Sequence, residues 1–202
     1  MTQPTASEHV LPRLLVVLAL PAESDGVFEA AQVPVLYSGV GKINATLSLT
    51  QALHGYAVQQ QPPPLVVNFG TAGSQRHLPG HLYSCHEFIQ RDMDVRALGF
   101  ALGETPFDET PARLTFEPAF KHLPAAVCGS GDSFAVSAVD APCDVVDMEA
   151  FAFAKVCWHA GAKFACAKYV TDGADAAAAD DWRLNVHRAA EEFLNLYRGI
   201  KI

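Results

Sequence analysis

Apolar residues recur along this chain in short runs, separated by longer segments in which apolar positions repeat with helical spacing. The short runs predict buried strands. They cover residues 14 to 20, 33 to 38, 65 to 69, 82 to 89, 125 to 129, 144 to 146 and 164 to 170. Helical spacing predicts three helices, over residues 42 to 57, over residues 148 to 159, and from Asp180 or Asp181 onward. Residues 91 to 118 are rich in glycine and proline, which predicts a loop.

Strands that alternate with helices predict a wound α/β sheet. The chain has 202 residues, a length that suits one domain with a sizeable core. We therefore predict a single domain over residues 1 to 202, with residues 1 to 12 as a loose leader.

Composition narrows the possible partners. Lysine and arginine number 14 against 22 acidic residues, so the net charge is −8, and basic residues form no cluster. A nucleic acid or an anionic membrane surface is therefore not an expected partner. Five scattered cysteines without a Cys-x-x-Cys pair predict reduced core residues of a cytoplasmic protein. No apolar stretch approaches the ~18 residues of a membrane span.

Acidic or small residues follow four of the predicted strands. Glu23 follows the first strand, a glycine-containing turn at 70 to 73 follows the strand at 65 to 69, a turn at 129 to 134 follows another, and Asp172 lies in a turn after the strand at 164 to 170. A further acid, Glu149, follows the run at 144 to 146. Strand ends in wound α/β sheets gather on one rim, where ligands bind. We predict that this rim carries the active site.

Each of these residues also has a purely structural interpretation. Glu149 suits the start of a helix, where a carboxylate faces the helix dipole. Asp172 precedes a glycine, as turn-forming aspartates often do, and Glu23 suits the start of a helix. Phe134 and Val95 are as compatible with the core as with a pocket.

The motifs taken in order resemble the nucleoside phosphorylase and nucleosidase superfamily, above all the 5′-methylthioadenosine/S-adenosylhomocysteine nucleosidases. Seven short motifs carry the resemblance: Ala19-Leu-Pro-Ala-Glu23, Ser38-Gly-Val-Gly-Lys42, Asn68-Phe-Gly-Thr-Ala-Gly73, Arg91-Asp-Met-Asp-Val95, Ser130-Gly-Asp-Ser-Phe134, Asp147-Met-Glu149 and Thr171-Asp172. The resemblance implies a three-layer α/β/α sandwich around a central mixed, largely parallel sheet. It also implies a homodimer.

The resemblance implies roles for the three acids. Asp172 matches the general acid that protonates N7 of the purine, Glu149 the carboxylate that binds the ribose hydroxyls, and Glu23 the acid that activates water. Breaking a ribosyl-to-purine bond leaves positive charge on the sugar and negative charge on the base, so anions and a proton donor suit it. We expect burial to raise the pKa of Asp172, and the first turn of a helix to keep Glu149 ionised.

Further positions match the substrate-binding residues of the resembling enzymes. Phe134 would stack on the base, Val95 and the main chain around Ala135 would complete the base pocket, and Trp182 would cover the 5′ substituent. The remaining predicted substrate contacts are Thr71, Ala72, Gly73 and Met148. No metal and no organic cofactor is expected. His77, His81 and His86 are interpreted as solvent-facing residues.

Hydrolysis is favoured over phosphorolysis, because phosphorylases of the superfamily carry a basic residue where this chain has Asn68. The predicted reaction is therefore hydrolysis of a purine nucleoside, most simply 5′-methylthioadenosine or S-adenosylhomocysteine. The alternatives are a hydrolase of another nucleoside such as futalosine, a phosphate-dependent phosphorylase, and a nucleoside-binding protein without catalysis. The short segment between Glu23 and Tyr37 predicts a truncated sheet and weakens the assignment of Glu23.

Overall fold

Eight strands pair into one sheet in the computed structural model, which describes residues 11–201. The predicted leader therefore lies largely outside the described residues. The strands are β1 (Leu14–Leu18), β2 (Val35–Tyr37), β3 (Leu65–Gly73), β4 (Leu82–Gln90), β5 (Arg113–Thr115), β6 (Ala125–Ser130), β7 (Val145–Asp147) and β8 (Phe164–Asp172). The helices are α1 (Pro21–Ser24), α2 (Val27–Ala30), α3 (Lys42–Val58), α4 (Ala150–Ala160), α5 (Ala178–Asn185) and α6 (Ala190–Arg198), with one 3-10 turn at Arg96–Leu98.

The sheet is mixed and mostly parallel, as the resemblance implied. Its order is β2-β1-β3-β7-β6-β4-β5, and β8 pairs with both β3 and β4. Five of these pairings are parallel, and three are antiparallel: β3 with β7, β4 with β5, and β4 with β8. Because β8 bridges β3 and β4 while β7 and β6 also connect them, five strands close into a ring.

Helices cover the sheet on both faces, which confirms the three-layer architecture. Successive residues of a strand point to opposite faces, so Val17 packs in one apolar cluster while its neighbours Val16 and Leu18 pack in the other. The first cluster contains the buried faces of α3 and α4. The second contains Phe28 of α2 and Phe193 of α6.

The glycine segment 70 to 73 was predicted as a turn, and this is wrong. It continues β3 and pairs with β8 from Lys168 to Asp172. Its glycines give space to neighbouring side chains instead of bending the chain. A methyl group on Gly70 would lie 3.1 Å from both Glu23 Oε1 and Lys168 Nζ.

Three further predictions need correction. Asp172 is the last residue of strand β8, where it was predicted in a turn. The carboxyl-terminal helical pattern divides into α5 and α6, because residues 186 to 189 form turns. The predicted loop at 91 to 118 contains β5, which pairs with β4, and the 3-10 turn.

In the described part of the chain, every helix is too short or too polar to span a bilayer.

Candidate active site

One cavity of about 460 Å³ opens at the carboxyl ends of β3 and β8 and collects ten of the eleven predicted site residues. This volume suits a small organic ligand. The ten residues are Glu23, Thr71, Ala72, Gly73, Phe134, Ala135, Met148, Glu149, Asp172 and Trp182. Residues from α1 to α5 therefore meet on the rim where the strand ends were predicted to converge.

Val95 is the exception, because it does not line this cavity. It precedes the 3-10 turn at Arg96–Leu98 and is half-buried. The wall on this side of the cavity is instead formed by Arg91, the residue that follows β4. The prediction that Val95 completes the base pocket is thus not supported by its position.

Glu23 reaches the cavity from α1 and is 5 % exposed. Its Oε2 accepts hydrogen bonds from the backbone N–H groups of Ala19 and Leu20, both at 3.1 Å. Its Oε1 accepts from the backbone N–H of Thr71 at 2.8 Å and from the Thr71 hydroxyl at 3.0 Å. Four donors match the roughly four lone-pair sites of a carboxylate. The structural and the functional interpretations of Glu23 therefore both hold geometrically: it fixes the start of α1 and faces the cavity.

Trp182 extends this network from α5. Its indole Nε1 donates a hydrogen bond to the Thr71 hydroxyl oxygen at 3.1 Å. Because the same hydroxyl donates to Glu23, the three side chains form one directed chain from Trp182 through Thr71 to Glu23. The indole ring also lines the cavity, as predicted.

The pKa of Glu149 differs from the expectation for an acid at the start of a helix. It is the residue immediately before α4 and makes no side-chain cap, and its Oε1 accepts from the backbone N–H of Gly41 at 2.7 Å. Burial, followed by the nearby charge of Asp147, raises the pKa of Glu149 to about 8. The expectation that the helix start keeps this acid ionised is therefore wrong.

Asp147, and not Glu149, makes the side-chain hydrogen bond at the start of α4. Its Oδ2 accepts from the backbone N–H of Ala150 at 2.9 Å and pairs with Lys168 Nζ at 2.8 Å. Burial alone would raise the pKa of Asp147, but Lys168 overcomes it and the pKa is lowered. Burial alone would lower the pKa of Lys168, but the negative charge of Asp147 outweighs burial and raises the pKa of this lysine. The pair is thus ionised, although both side chains are almost fully buried.

Asp172 lies opposite Gly73 and is 3 % exposed. Its Oδ1 accepts from the backbone N–H of Ala174 at 3.0 Å, and its Oδ2 accepts from the Thr171 hydroxyl at 2.8 Å. Burial raises the pKa of Asp172 despite these two donors. The predicted direction of the shift is confirmed, and the shift favours a carboxyl group that carries a proton to donate.

Another part of the cavity wall combines an aromatic ring with polar groups. Phe134 is 44 % exposed and lines the cavity beside Ala135 and Arg91. An exposed ring at a cavity wall offers a face on which a planar base can stack. Met148 lines the cavity next to Glu149.

Within residues 11–201, no group of three His, Cys, Asp or Glu side chains could hold a metal ion. The histidine prediction holds for His81, which is exposed, but His77 and His86 are half-buried. His77 stacks on Tyr83 with 4.1 Å between ring centroids.

The profile of the phosphorylase superfamily matches residues 26–200, which is most of the chain. The chain belongs to the phosphorylase superfamily. The match includes Glu149 and Asp172 and begins just after Glu23. The family resemblance inferred from the seven motifs is thereby confirmed.

Several related sequences of this superfamily share the same enzyme name. The 5′-methylthioadenosine/S-adenosylhomocysteine nucleosidase of Marinomonas sp. (strain MWYL1) is 30% identical over 168 residues, which cover 73% of this chain and 71% of that protein. The enzyme of the same name from Actinobacillus succinogenes is 29% identical over 87% of this chain and 83% of its own length.

Solved structures show the same fold. A Helicobacter pylori nucleosidase mutant with 5′-methylthioadenosine in its active site superposes with a TM-score of 0.80, at 19% identity over 93% of this chain and 98% of its own. A futalosine hydrolase mutant of Helicobacter pylori strain 26695 gives a TM-score of 0.78 at 21% identity, over 91% of this chain and 96% of its own.

Two charged residues of this superfamily member had no role in the sequence analysis. Lys168 interrupts the otherwise uncharged start of β8, and a lysine within a buried strand signals a buried acidic partner. Arg91 stood within a quoted motif, but a surface loop was the simpler interpretation. Only the packing of Arg91 against residues 129 to 133 places it on the cavity wall.

Proposed function

We propose that this protein is a nucleosidase that hydrolyses the N-glycosidic bond of a purine nucleoside, with 5′-methylthioadenosine or S-adenosylhomocysteine as the first candidate substrates. The observation that carries the proposal is the meeting of Asp172, Glu149 and Glu23 in one nucleoside-sized cavity. The names of the related sequences favour these substrates. A futalosine-like nucleoside is the second candidate, because a futalosine hydrolase shares the fold.

Asp172 supplies the proton in this reaction. The bond between C1′ of the ribose and N9 of the purine breaks with its electron pair moving to the base. Asp172 donates its proton to N7, so the base leaves as a neutral molecule. The raised pKa of Asp172 keeps that proton available nearer to neutral pH than an ordinary aspartate would.

Glu149 acts on the sugar. Its carboxylate would accept hydrogen bonds from the ribose hydroxyls, and its negative charge would stabilise the ribosyl cation that forms as the bond breaks. With a pKa of about 8, Glu149 is largely protonated at neutral pH before substrate binds. Glu149 must therefore release this proton to solvent when substrate binds, and the positive charge that develops on the sugar favours the resulting carboxylate.

Glu23 receives a proton from water, whose oxygen bonds to C1′. All of its lone-pair sites already have donors, so one donor must give way. The Thr71 hydroxyl is the donor that can rotate, whereas the three backbone N–H groups are fixed. The attacking water would therefore bind between the Thr71 hydroxyl and the Glu23 carboxylate.

Water is favoured over phosphate as the nucleophile. Asn68 is buried and bonds to the backbone carbonyl groups of Val17 and Phe69, at 3.1 and 3.0 Å. It neither lines the cavity nor carries charge. The nearby Lys168 is neutralised by Asp147. In the described part of the chain, no cation pairs with Glu23, so phosphate at this end would meet the Glu23 carboxylate.

Turnover separates the candidates. Native protein should release adenine from 5′-methylthioadenosine in phosphate-free buffer. Asp172→Asn and Glu149→Gln should each lower kcat by about 100-fold or more. Asp180→Asn is the matched control, because Asp180 is exposed and pairs only with Arg183 in the described chain. Strict phosphate dependence would show a phosphorylase, and saturable nucleoside binding without base release would show a binding protein.

The proposal includes a homodimer, for which an apolar helix face gives support. Ile43 and Leu47 on α3 are 79% and 55% exposed. They border a groove of about 1060 Å³ between α3 and α4. A second copy would remove these side chains from water. Light scattering should give the mass of two chains, and Leu47→Glu should give the mass of one.

The proposed setting is the cytoplasm, in methionine salvage for a methylthio substrate. All five cysteines are buried free thiols, which suits a reducing compartment.

A further inference from the structure

Arg91 and Asp172 line the same cavity from the ends of two different strands. Arg91 follows β4, and Asp172 ends β8. These two strands pair directly, but only through residues 82 to 85 of β4 and 166 to 169 of β8. Beyond that pairing, the two ends are connected through β6, β7 and β3. At ~4.8 Å per strand spacing, this path is roughly 19 Å along the curved sheet, so the two side chains border the cavity from separate parts of its wall.

The position of the Arg91 guanidinium is fixed by its surroundings. It lies against Gly131, where an added methyl group would be 2.9 Å from Arg91 Cζ. Arg91 Nη1 donates to the Ser133 hydroxyl at 3.2 Å, and Nη2 donates to the carbonyl groups of Gly131 and Ser133. The side chain is held in place by neutral groups alone.

The same guanidinium has donors and charge left over. A guanidinium has five N–H donors, and Arg91 Nε is buried without a hydrogen-bond partner in the described structure. The ion pairs found among residues 11–201 do not include Arg91. By contrast, Arg183, the other arginine on the cavity wall, pairs with Asp180. A buried unpaired donor is costly unless a ligand completes it.

A purine that presents N7 of its five-membered ring to Asp172 leaves the edge of its six-membered ring for another part of the cavity wall. On that edge, N1 accepts a hydrogen bond in adenine but carries hydrogen in a 6-oxopurine such as hypoxanthine, whereas N3 is an acceptor in both. We propose that Arg91 is a specificity-determining residue that donates a hydrogen bond to N1 of adenine and thereby selects 6-aminopurines over 6-oxopurines. This inference rests on the proposed function for the orientation of the base.

The same contact would assist bond cleavage. Negative charge that moves onto the base spreads to its ring nitrogens, and a fixed cation stabilises that charge most in the transition state. Arg91 and Asp172 would thus act on opposite edges of the leaving base. No proton is transferred from Arg91, because guanidinium stays protonated.

Binding of free bases tests the inference without turnover. Calorimetry would compare adenine, hypoxanthine, 1-deazaadenine and 3-deazaadenine on native protein, Arg91→Lys, Arg91→Met and the exposed-surface control Arg188→Met. Native protein and the control should bind adenine about 10- to 100-fold more tightly than hypoxanthine and than 1-deazaadenine, whereas 3-deazaadenine should bind about as tightly as adenine. Arg91→Met should lose adenine affinity and bind the four bases alike, with Arg91→Lys between them.

Other outcomes would overturn the inference. If Arg91→Met weakens all four bases by one common factor, Arg91 merely supports the segment 131 to 135. Equal affinities for the four bases on native protein, or no measurable adenine binding, would also reject base selection by Arg91. Turnover is scored separately on 5′-methylthioadenosine and 5′-methylthioinosine. A protein that discriminates the bases but cleaves neither nucleoside would retain the Arg91 inference and reject the proposed hydrolysis.

Discussion

Gly73 and Asp172 are in such close contact that a side chain at position 73 would have to displace the carboxyl group of Asp172: an added methyl carbon would lie 2.5 Å from Asp172 Oδ1. The two residues are register partners of β3 and β8, at the irregularity between Ala72 and Gly73. The missing side chain of Gly73 therefore creates the space that the carboxyl group of Asp172 occupies. Glycine at this position is needed for the position of an acid and not for a turn.

Gly73→Ala should displace Asp172 and reduce turnover more than stability. We expect kcat/KM for base release to fall about 10- to 100-fold, since small displacements of a catalytic group have effects of this size. Gly55→Ala is the matched control, because Gly55 lies in α3 with open space around it. Unchanged kcat/KM in Gly73→Ala would contradict the placement of Asp172 as the proton donor.

Lys168→Met should strongly destabilise the fold, because it leaves the charge of Asp147 buried and unpaired. Loss of one partner of a buried ion pair costs about 3–5 kcal/mol, measured as a shift in the urea midpoint. Arg183→Met removes the exposed pair with Asp180 and should change the free energy of unfolding by less than about 1 kcal/mol. Equal midpoints for the two variants would mean that Asp147 does not depend on Lys168.

Glu149→Gln should stabilise the protein increasingly as the pH rises. The pKa of Glu149 is about 8 in the folded protein and near the ordinary value of 4.5 in the unfolded chain. Above pH 4.5 the unfolded chain ionises first, so native stability is lost until the pH passes the folded pKa. A glutamine has no charge to gain and still offers an oxygen to the Gly41 N–H.

The measurement is the difference in the free energy of unfolding between Glu149→Gln and native protein from pH 4 to pH 9. It should be smallest near pH 4 and grow toward pH 8, to about 3–5 kcal/mol. Glu117→Gln on the exposed surface serves as the control and should show no such trend. A constant difference across this range would argue against a raised pKa.

Thr71→Val and Trp182→Phe test the hydrogen-bond chain that ends at Glu23. Valine keeps the shape of threonine without its hydroxyl, and phenylalanine keeps an aromatic ring without the indole N–H. We expect kcat to fall about 10-fold or more in Thr71→Val and less in Trp182→Phe. Because Trp182 acts through Thr71, the double variant should be no slower than Thr71→Val. Fully additive losses would show that Trp182 contributes by another route, such as contact with the 5′ group.

Much of the site could be predicted because its acids follow strands in a wound sheet. Local apolar runs identify those strands, and the topology of such sheets brings their ends together. Glu23, Glu149 and Asp172 were therefore placed on one rim without coordinates. The position of Val95 could not be obtained in this way, since the segment after β4 has no periodic pattern and its path depends on contacts with distant residues.

By itself, the sequence determined the order of seven of the eight strands and of the longer helices, the family, and the three acids of the cavity. These features follow from local hydrophobic spacing and from short motifs, both of which are properties of neighbouring residues. The tertiary structure alone decided the charge of Glu149, the pairing of Asp147 with Lys168 and the access of Arg91 to the cavity. Each of these depends on burial and on distances between residues far apart in the chain, because the energy of a charge is set by its surroundings in space.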